Sequence, residues 1–132
     1  MNQSELAALL VKVKNDGSNT LDLSKEELEY LPPEIGDLVD LVELDLTGNQ
    51  LKKLPAEIGN LTSLTRLNAR NNQLAFLPPE LGNLSNLKAL FLQENELTQL
   101  PSQIGQLSNL GRLNSSNNML VGLPPEIGNL TN

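Results

Sequence analysis

Apolar and polar residues alternate over short stretches of this chain, and the stretches recur at a fixed interval. Leu41-Val42-Glu43-Leu44-Asp45-Leu46 is one of them. Period-two alternation predicts a short strand with its leucines on the inner face. Leu41, Leu64, Leu87 and Leu110 stand 23 residues apart, as do Leu44, Leu67, Leu90 and Leu113. Asn49, Asn72, Asn95 and Asn118 keep the same spacing, and so do Pro32, Pro55, Pro78, Pro101 and Pro124. Gly36, Gly59, Gly82, Gly105 and Gly128 complete the pattern. A period in the twenties is the signature of a solenoid. The strands are therefore predicted to stack as a parallel sheet, about 4.8 Å apart. From Ser18 the chain divides into units 18–40, 41–63, 64–86, 87–109 and 110–132, all within one domain over 1–132.

Before the first unit the period changes. Asn2 followed by Glu5 has the form of a helix start, with a side-chain cap and a carboxylate in the first turn. Leu6, Leu9, Leu10 and Val13 then share one helical face, and Asp16-Gly17 ends the segment. This predicts an amphipathic helix over 3–14, within a cap spanning 3–17. Its polar side, with Lys12 and Lys14, would face solvent and cover the first rung, as the end of a solenoid requires.

Within each unit, the Asn at the ninth position falls where the chain leaves the sheet. Its amide is expected to satisfy backbone groups of its own and the adjacent rung, because buried polar groups must be paired. Leu54-Pro55-Ala56-Glu57-Ile58-Gly59-Asn60-Leu61 then predicts one short helical turn, α or 3₁₀. Pro suits its first position, Glu its N-terminus, and Gly59 its end. Ile58 and Leu61 are expected inside. The first unit departs from the template, with Ser18 for its opening leucine and Glu26 for its Asn. Ala69 and Ser115 occupy a leucine slot in units three and five.

Composition narrows the chemistry. Leucine supplies 31 of the 132 residues, and Tyr30, Phe76 and Phe91 are the only aromatics, so the core must be aliphatic layers. The chain has no Cys and no His. Thiol nucleophiles, histidine bases, most zinc sites and disulfides are excluded, and no cofactor is expected. A net charge of −7 argues against nucleic acid as a partner. The N-terminus lacks the form of a secretory signal, and no apolar run approaches the ~18 residues of a membrane span. A soluble, cytoplasmic setting is the expectation. Asn60-Leu61-Thr62, Asn83-Leu84-Ser85 and Asn129-Leu130-Thr131 fit the glycosylation sequon, but the repeat generates them automatically.

The unit L-x-x-L-x-L-x-x-N-x-L-x-x-L-P-x-E-I-G-N-L-x-x resembles the 23-residue leucine-rich repeat over essentially the whole chain after residue 17. Its Leu-Pro-x-Glu-Ile-Gly-Asn-Leu half is similar to intracellular bacterial and plant repeats of the Ras-group type. The short helix, Asp-Gly and Leu-Asp-Leu-Ser opening resembles the N-terminal array of bacterial Roco-type proteins. No phosphate-binding loop of G-x-x-x-x-G-K-[ST] form is present, so GTPase activity does not carry over. The resemblance implies an α/β fold: a right-handed β-α superhelix with a parallel concave sheet and an N-terminal helical cap. It also implies protein binding without catalysis.

Information should then lie where the template leaves choice, at the second, third, fifth, seventh and eighth positions of each unit. The three arginines of the chain, Arg66, Arg70 and Arg112, all fall there, around Phe91 and with Lys88 nearby. An exposed aromatic ringed by arginines has the makeup of an interface hot spot. The plainer alternative is a surface ion pair between Glu43 and Arg66. Asp22, Glu43 and Asp45 form an acidic cluster, readable as a cation site or an acid/base pair but more simply as a solvated face. The final unit carries no cap. Its leucines, Leu110, Leu113, Leu120, Leu123 and Leu130, with Ile127, are expected to show one flank to water, and the strand near 110–115 to be an unpaired edge. Two readings follow: a module binding a protein or peptide on its concave sheet, or an oligomerising N-terminal piece of a larger Roco-like protein, closing as a homodimer through Leu110, Leu113, Leu120 and Leu130.

Overall fold

A computed structural model describes residues 1–130; Thr131 and Asn132, with the end of the fifth unit and of the last sequon, lie outside the described residues. The chain opens with helix α1 (Gln3–Asp16). Asn2 and Glu5 cap it reciprocally: the Asn2 side-chain Oδ1 accepts the Glu5 N–H at 2.8 Å, and the Glu5 carboxylate accepts the Asn2 N–H at 3.1 Å. Gly17 ends it in the left-handed conformation, at φ 63°. The helix runs two residues beyond the expected 3–14, through Asn15 and Asp16, to that glycine. Leu6, Leu10 and Val13 are buried against the first rung.

Five three-residue strands follow: β1 (Thr20–Asp22), β2 (Glu43–Asp45), β3 (Arg66–Asn68), β4 (Ala89–Phe91) and β5 (Arg112–Asn114). They form one parallel sheet in chain order, each residue facing its counterpart 23 positions on. Opposite the sheet, 3₁₀ turns span Pro33–Asp37, Ala56–Asn60, Pro79–Asn83, Ser102–Gln106 and Pro125–Asn129. Between the two layers lies a core of leucine and isoleucine, with Leu44, Ile58, Leu61, Leu67, Leu90 and Ile104 at most 1% exposed.

The asparagine ladder is present. Asn95 donates from Nδ2 to the carbonyls of Ala69 (3.0 Å) and Leu92 (3.1 Å), and its Oδ1 accepts the Leu74 N–H at 3.0 Å. Asn49, Asn72 and Asn118 repeat the pattern, each tying its own rung to the one before.

Several expectations need correction. The recurring prolines are N-caps with extended ψ, one residue before the 3₁₀ turn; the second proline of the Pro-Pro units takes the first helical position. The recurring glycine does not serve to stop the turn. It sits inside it, against the backbone of the next rung: a Cβ on Gly59 would lie 2.5 Å from the Glu80 carbonyl oxygen, and one on Gly82 2.6 Å from that of Gln103. Close approach between rungs is what excludes a side chain there. Ser115 is half-buried rather than a core residue, whereas Ala69 is fully buried.

At the C-terminal end, Leu110 is buried at 2% exposure, so it shows no flank to water and cannot be an edge contact. The leucine that opens a rung is held on the preceding 3₁₀ turn, its N–H donating to the Leu107 carbonyl at 3.0 Å, and needs only the rung before it. Leu113, Leu120, Ile127 and Leu130 are half-buried, and Leu123 is 57% exposed. Among the described residues, strand β5 pairs with β4 alone.

Candidate functional site

The outward-facing positions of the sheet are less free than the sequence pattern suggests. At the fifth position of a unit, the side chain caps the backbone as the strand ends. Asp22 accepts the Ser24 N–H (2.9 Å), Asp45 that of Thr47 (2.9 Å), Asn68 that of Arg70 (3.1 Å) and Asn114 that of Ser116 (3.1 Å). These are Asx turns, and they explain Asp and Asn at this position without any ligand. Hydrogen bonds from the Ser24 hydroxyl and then its backbone hold the Asp22 carboxyl below the ordinary carboxylate range. At the eighth position every rung is left-handed: Lys25, Gly48, Asn71, Glu94 and Asn117 have φ between 55° and 72°. Gly and Asn adopt this conformation readily; Lys and Glu do so at a cost.

Against that template the fourth rung stands out. Phe91 takes the fifth position and supplies no acceptor to the Gln93 N–H. Glu94 takes the strained eighth position, at φ 61°. Gln93 has a buried Oε1 that accepts no hydrogen bond. Both substituted side chains meet arginines of the third rung. The Arg66 guanidinium lies over the Phe91 ring, 4.8 Å from its centroid. Arg70 Nη2 pairs with Glu94 Oε1 at 3.2 Å, the one ion pair among the described residues. The first rung also departs, with Lys25 at φ 57°, its side chain lying beside Gly48 of the second rung.

The structure thus gathers the expected site residues on one face, though not as a ring. Arg66 alone stacks on Phe91, and Arg70 is turned to Glu94. Arg112 lies on β5, in register with Ala89, which is itself in register with Arg66. Lys88 stands exposed just before β4. The anticipated Glu43–Arg66 ion pair is not formed, although the two are register partners; the aromatic face draws Arg66 away. Phe91 is half-buried, whereas Arg66, Arg70 and Arg112 are exposed. Two further aromatics, missed as surface features in the sequence, are Tyr30 (47% exposed) and Phe76 (55%), at the thirteenth position of rungs one and three. Among the described residues no group of three or more His, Cys, Asp or Glu side chains is arranged to hold a metal ion, and no helix is long and apolar enough to cross a membrane.

The stacked strand-and-turn geometry has counterparts. The Leucine Rich Repeat family model matches residues 40–61 and 63–84. The structure superposes on that of a leucine-rich-repeat protein of Leptospira interrogans with TM-score 0.69 and 38% identity, over 92% of this chain and 37% of that one. It is similar to an internalin of Listeria monocytogenes (TM-score 0.75, 29% identity, 90% of this chain, 34% of that one). It is also similar to the plant peptide hormone receptor RGFR1, solved in complex with RGF2 (TM-score 0.70, 39% identity, 76% of this chain, 17% of that one). The chain spans less than two fifths of the length of each of these three proteins. No curated protein matches it. The chain carries leucine-rich repeats and adopts the α/β leucine-rich-repeat solenoid fold, with an N-terminal helix. Repeats of this kind are protein-interaction modules.

Proposed function

We propose that the chain is a non-enzymatic interaction module that binds a protein or peptide on its concave sheet, at Phe91 with Arg66 and Arg112, and with Arg70 and Lys88 at the rim. The observation that carries the reading is Phe91 itself. A residue that gives up the turn hydrogen bond made by its four counterparts forfeits about 1 kcal/mol of backbone satisfaction. What replaces it is a ring on the open face with a guanidinium stacked on it, the side-chain types that dominate interface energetics. A receptor of the same fold solved with a peptide hormone supports a peptide or protein ligand. Affinity capture comparing Phe91→Ala and Arg112→Ala with wild type should show losses of at least ~1–2 kcal/mol in partner binding with folding intact. Glu57→Ala, on the 3₁₀ side, should change almost nothing. Capture abolished by Glu57→Ala and indifferent to Phe91→Ala would overturn the assignment.

A second reading is favoured by the last described rung. Among the described residues strand β5 has an unpaired edge, and Met119, Val121 and Leu123 are 56%, 90% and 57% exposed beside half-buried Leu113, Leu120 and Leu130. On this reading the 132-residue chain self-associates through that rung, as part of a larger Roco-like array would stack. Mass in solution should then rise with concentration and fall with Leu120→Lys. A strict monomer at millimolar concentration would rule it out.

A further inference from the structure

The sheet face carries opposite charges at its two ends. Over the second to eighth positions, rungs one and two hold Asp22, Glu43 and Asp45 against the single cation Lys25. Rungs three to five hold Arg66, Arg70, Lys88 and Arg112 against the single carboxylate Glu94. That carboxylate is already paired with Arg70.

The two poles do not neutralise each other. Register sets Glu43 beside Arg66 across the β2–β3 boundary, the place where an ion pair would join them. Instead the guanidinium is parked over Phe91. Asp22 and Asp45 each accept a turn N–H from their own rung, so neither carboxylate is matched by a cation of the other pole. A hollow of about 200 Å³ lies on the acidic pole, lined by Thr20, Asp22, Glu43, Asp45, Arg66 and Asn68. It opens next to the first cation of the other pole. Like-signed groups left side by side on a surface are stabilised by a partner of the opposite sign, and such complementarity selects and orients that partner.

Resting on the reading that the sheet face is the binding surface, we propose that its occupant is an extended protein segment of split polarity. Its basic side chains lie over β1 and β2, an apolar side chain meets Phe91, and its carboxylates lie at Arg66 and Arg112. Strands stack about 4.8 Å apart and an extended chain advances about 3.3 Å per residue. The middle of the acidic pole and the β4 strand are thus about 12 Å apart, which places the basic and acidic groups of the segment about four residues from each other.

The test is selection of a random twelve-residue peptide library on the immobilised chain, repeated on Phe91→Ala, Glu43→Lys and Arg112→Glu. Peptides enriched on wild type should carry Lys or Arg separated by about four residues from Asp or Glu, and should be lost on Phe91→Ala. On Glu43→Lys the basic end should lose its enrichment while the acidic end keeps it; on Arg112→Glu the reverse. A synthetic peptide from the selection should bind at least tenfold more tightly than its isomer with the same charges alternated, and the gap should narrow in 0.5 M salt. Enriched peptides that depend on Phe91 but show no charge segregation would overturn the split-polarity proposal and leave the sheet-face reading standing. Enrichment indifferent to Phe91→Ala would overturn both, and no enrichment at all would overturn the peptide-segment proposal. A two-fold-related second copy also offers reversed polarity; a dimer that dissolves on Glu43→Lys would put that copy in place of the segment.

Discussion

The two faces of the solenoid are built from the same 23-residue unit, yet they treat substitution differently. On the 3₁₀ side, neighbouring rungs approach so closely that a glycine must face the carbonyl of the next rung, and Glu34, Glu57, Glu80 and Glu126 recur almost without variation. On the sheet side the backbone demands are met by small polar caps and left-handed residues, which a given rung can forgo for about 1 kcal/mol each. The fourth rung forgoes two of them, at Phe91 and Glu94. The contrast teaches that a repeat array admits variation where departure from its template costs least.

The comparison can be broken most severely through the core that both faces share. Leu90→Ala should destabilise by roughly 2–5 kcal/mol, read as a lower denaturant midpoint, because the side chain is fully buried between layers. Next come the rung-to-rung contacts. Gly59→Ala should cost about 1–3 kcal/mol by forcing the second and third rungs apart. Asn95→Ala should cost about 1–3 kcal/mol by orphaning the buried Leu74 N–H and removing one of the two amide donors at each of the Ala69 and Leu92 carbonyls. A midpoint unmoved by Gly59→Ala would remove the distinction drawn between the faces. The smallest effect is on Asp22. Its carboxyl is held low by Ser24, so it contributes stability above the unfolded value of about 3.9, and loses it as pH falls through the lower folded value. Exposure to solvent screens the interaction and keeps the contribution small. Asp22→Asn keeps the acceptor and should flatten the part of the acid-induced loss that falls below pH 4.

Much of this architecture was legible in the chain. Leucine or isoleucine at most inward positions, and asparagine at the ninth of units two to five, announce themselves because burial and pairing demand the same chemistry wherever the unit recurs. What stayed hidden depends on the neighbouring rung or on backbone angles. Gly59 reads as a turn stop until the Glu80 carbonyl is seen against it. Asp45 and Asn68 read as free polar choices until their turn N–H groups are found. How the arginines sit around Phe91 could not be read from spacing: Arg70 pairs with a carboxylate at 3.2 Å, and Arg66 stacks on the aromatic. At the other end, Leu110 looked like an edge residue because sequence spacing does not show which side of a rung its neighbours already cover.

The central claim is that the fourth rung has exchanged a turn cap for a binding residue, and Phe91→Asn tests it most directly. The substitution restores the cap made by Asn68 and Asn114, while removing the ring and its cation–π contact, worth about 0.5–1 kcal/mol at an exposed site. Measured side by side, the denaturant midpoint should stay level or rise, and partner affinity should fall at least tenfold. Affinity preserved in Phe91→Asn, or a loss of binding matched by a loss of folding, would contradict the account.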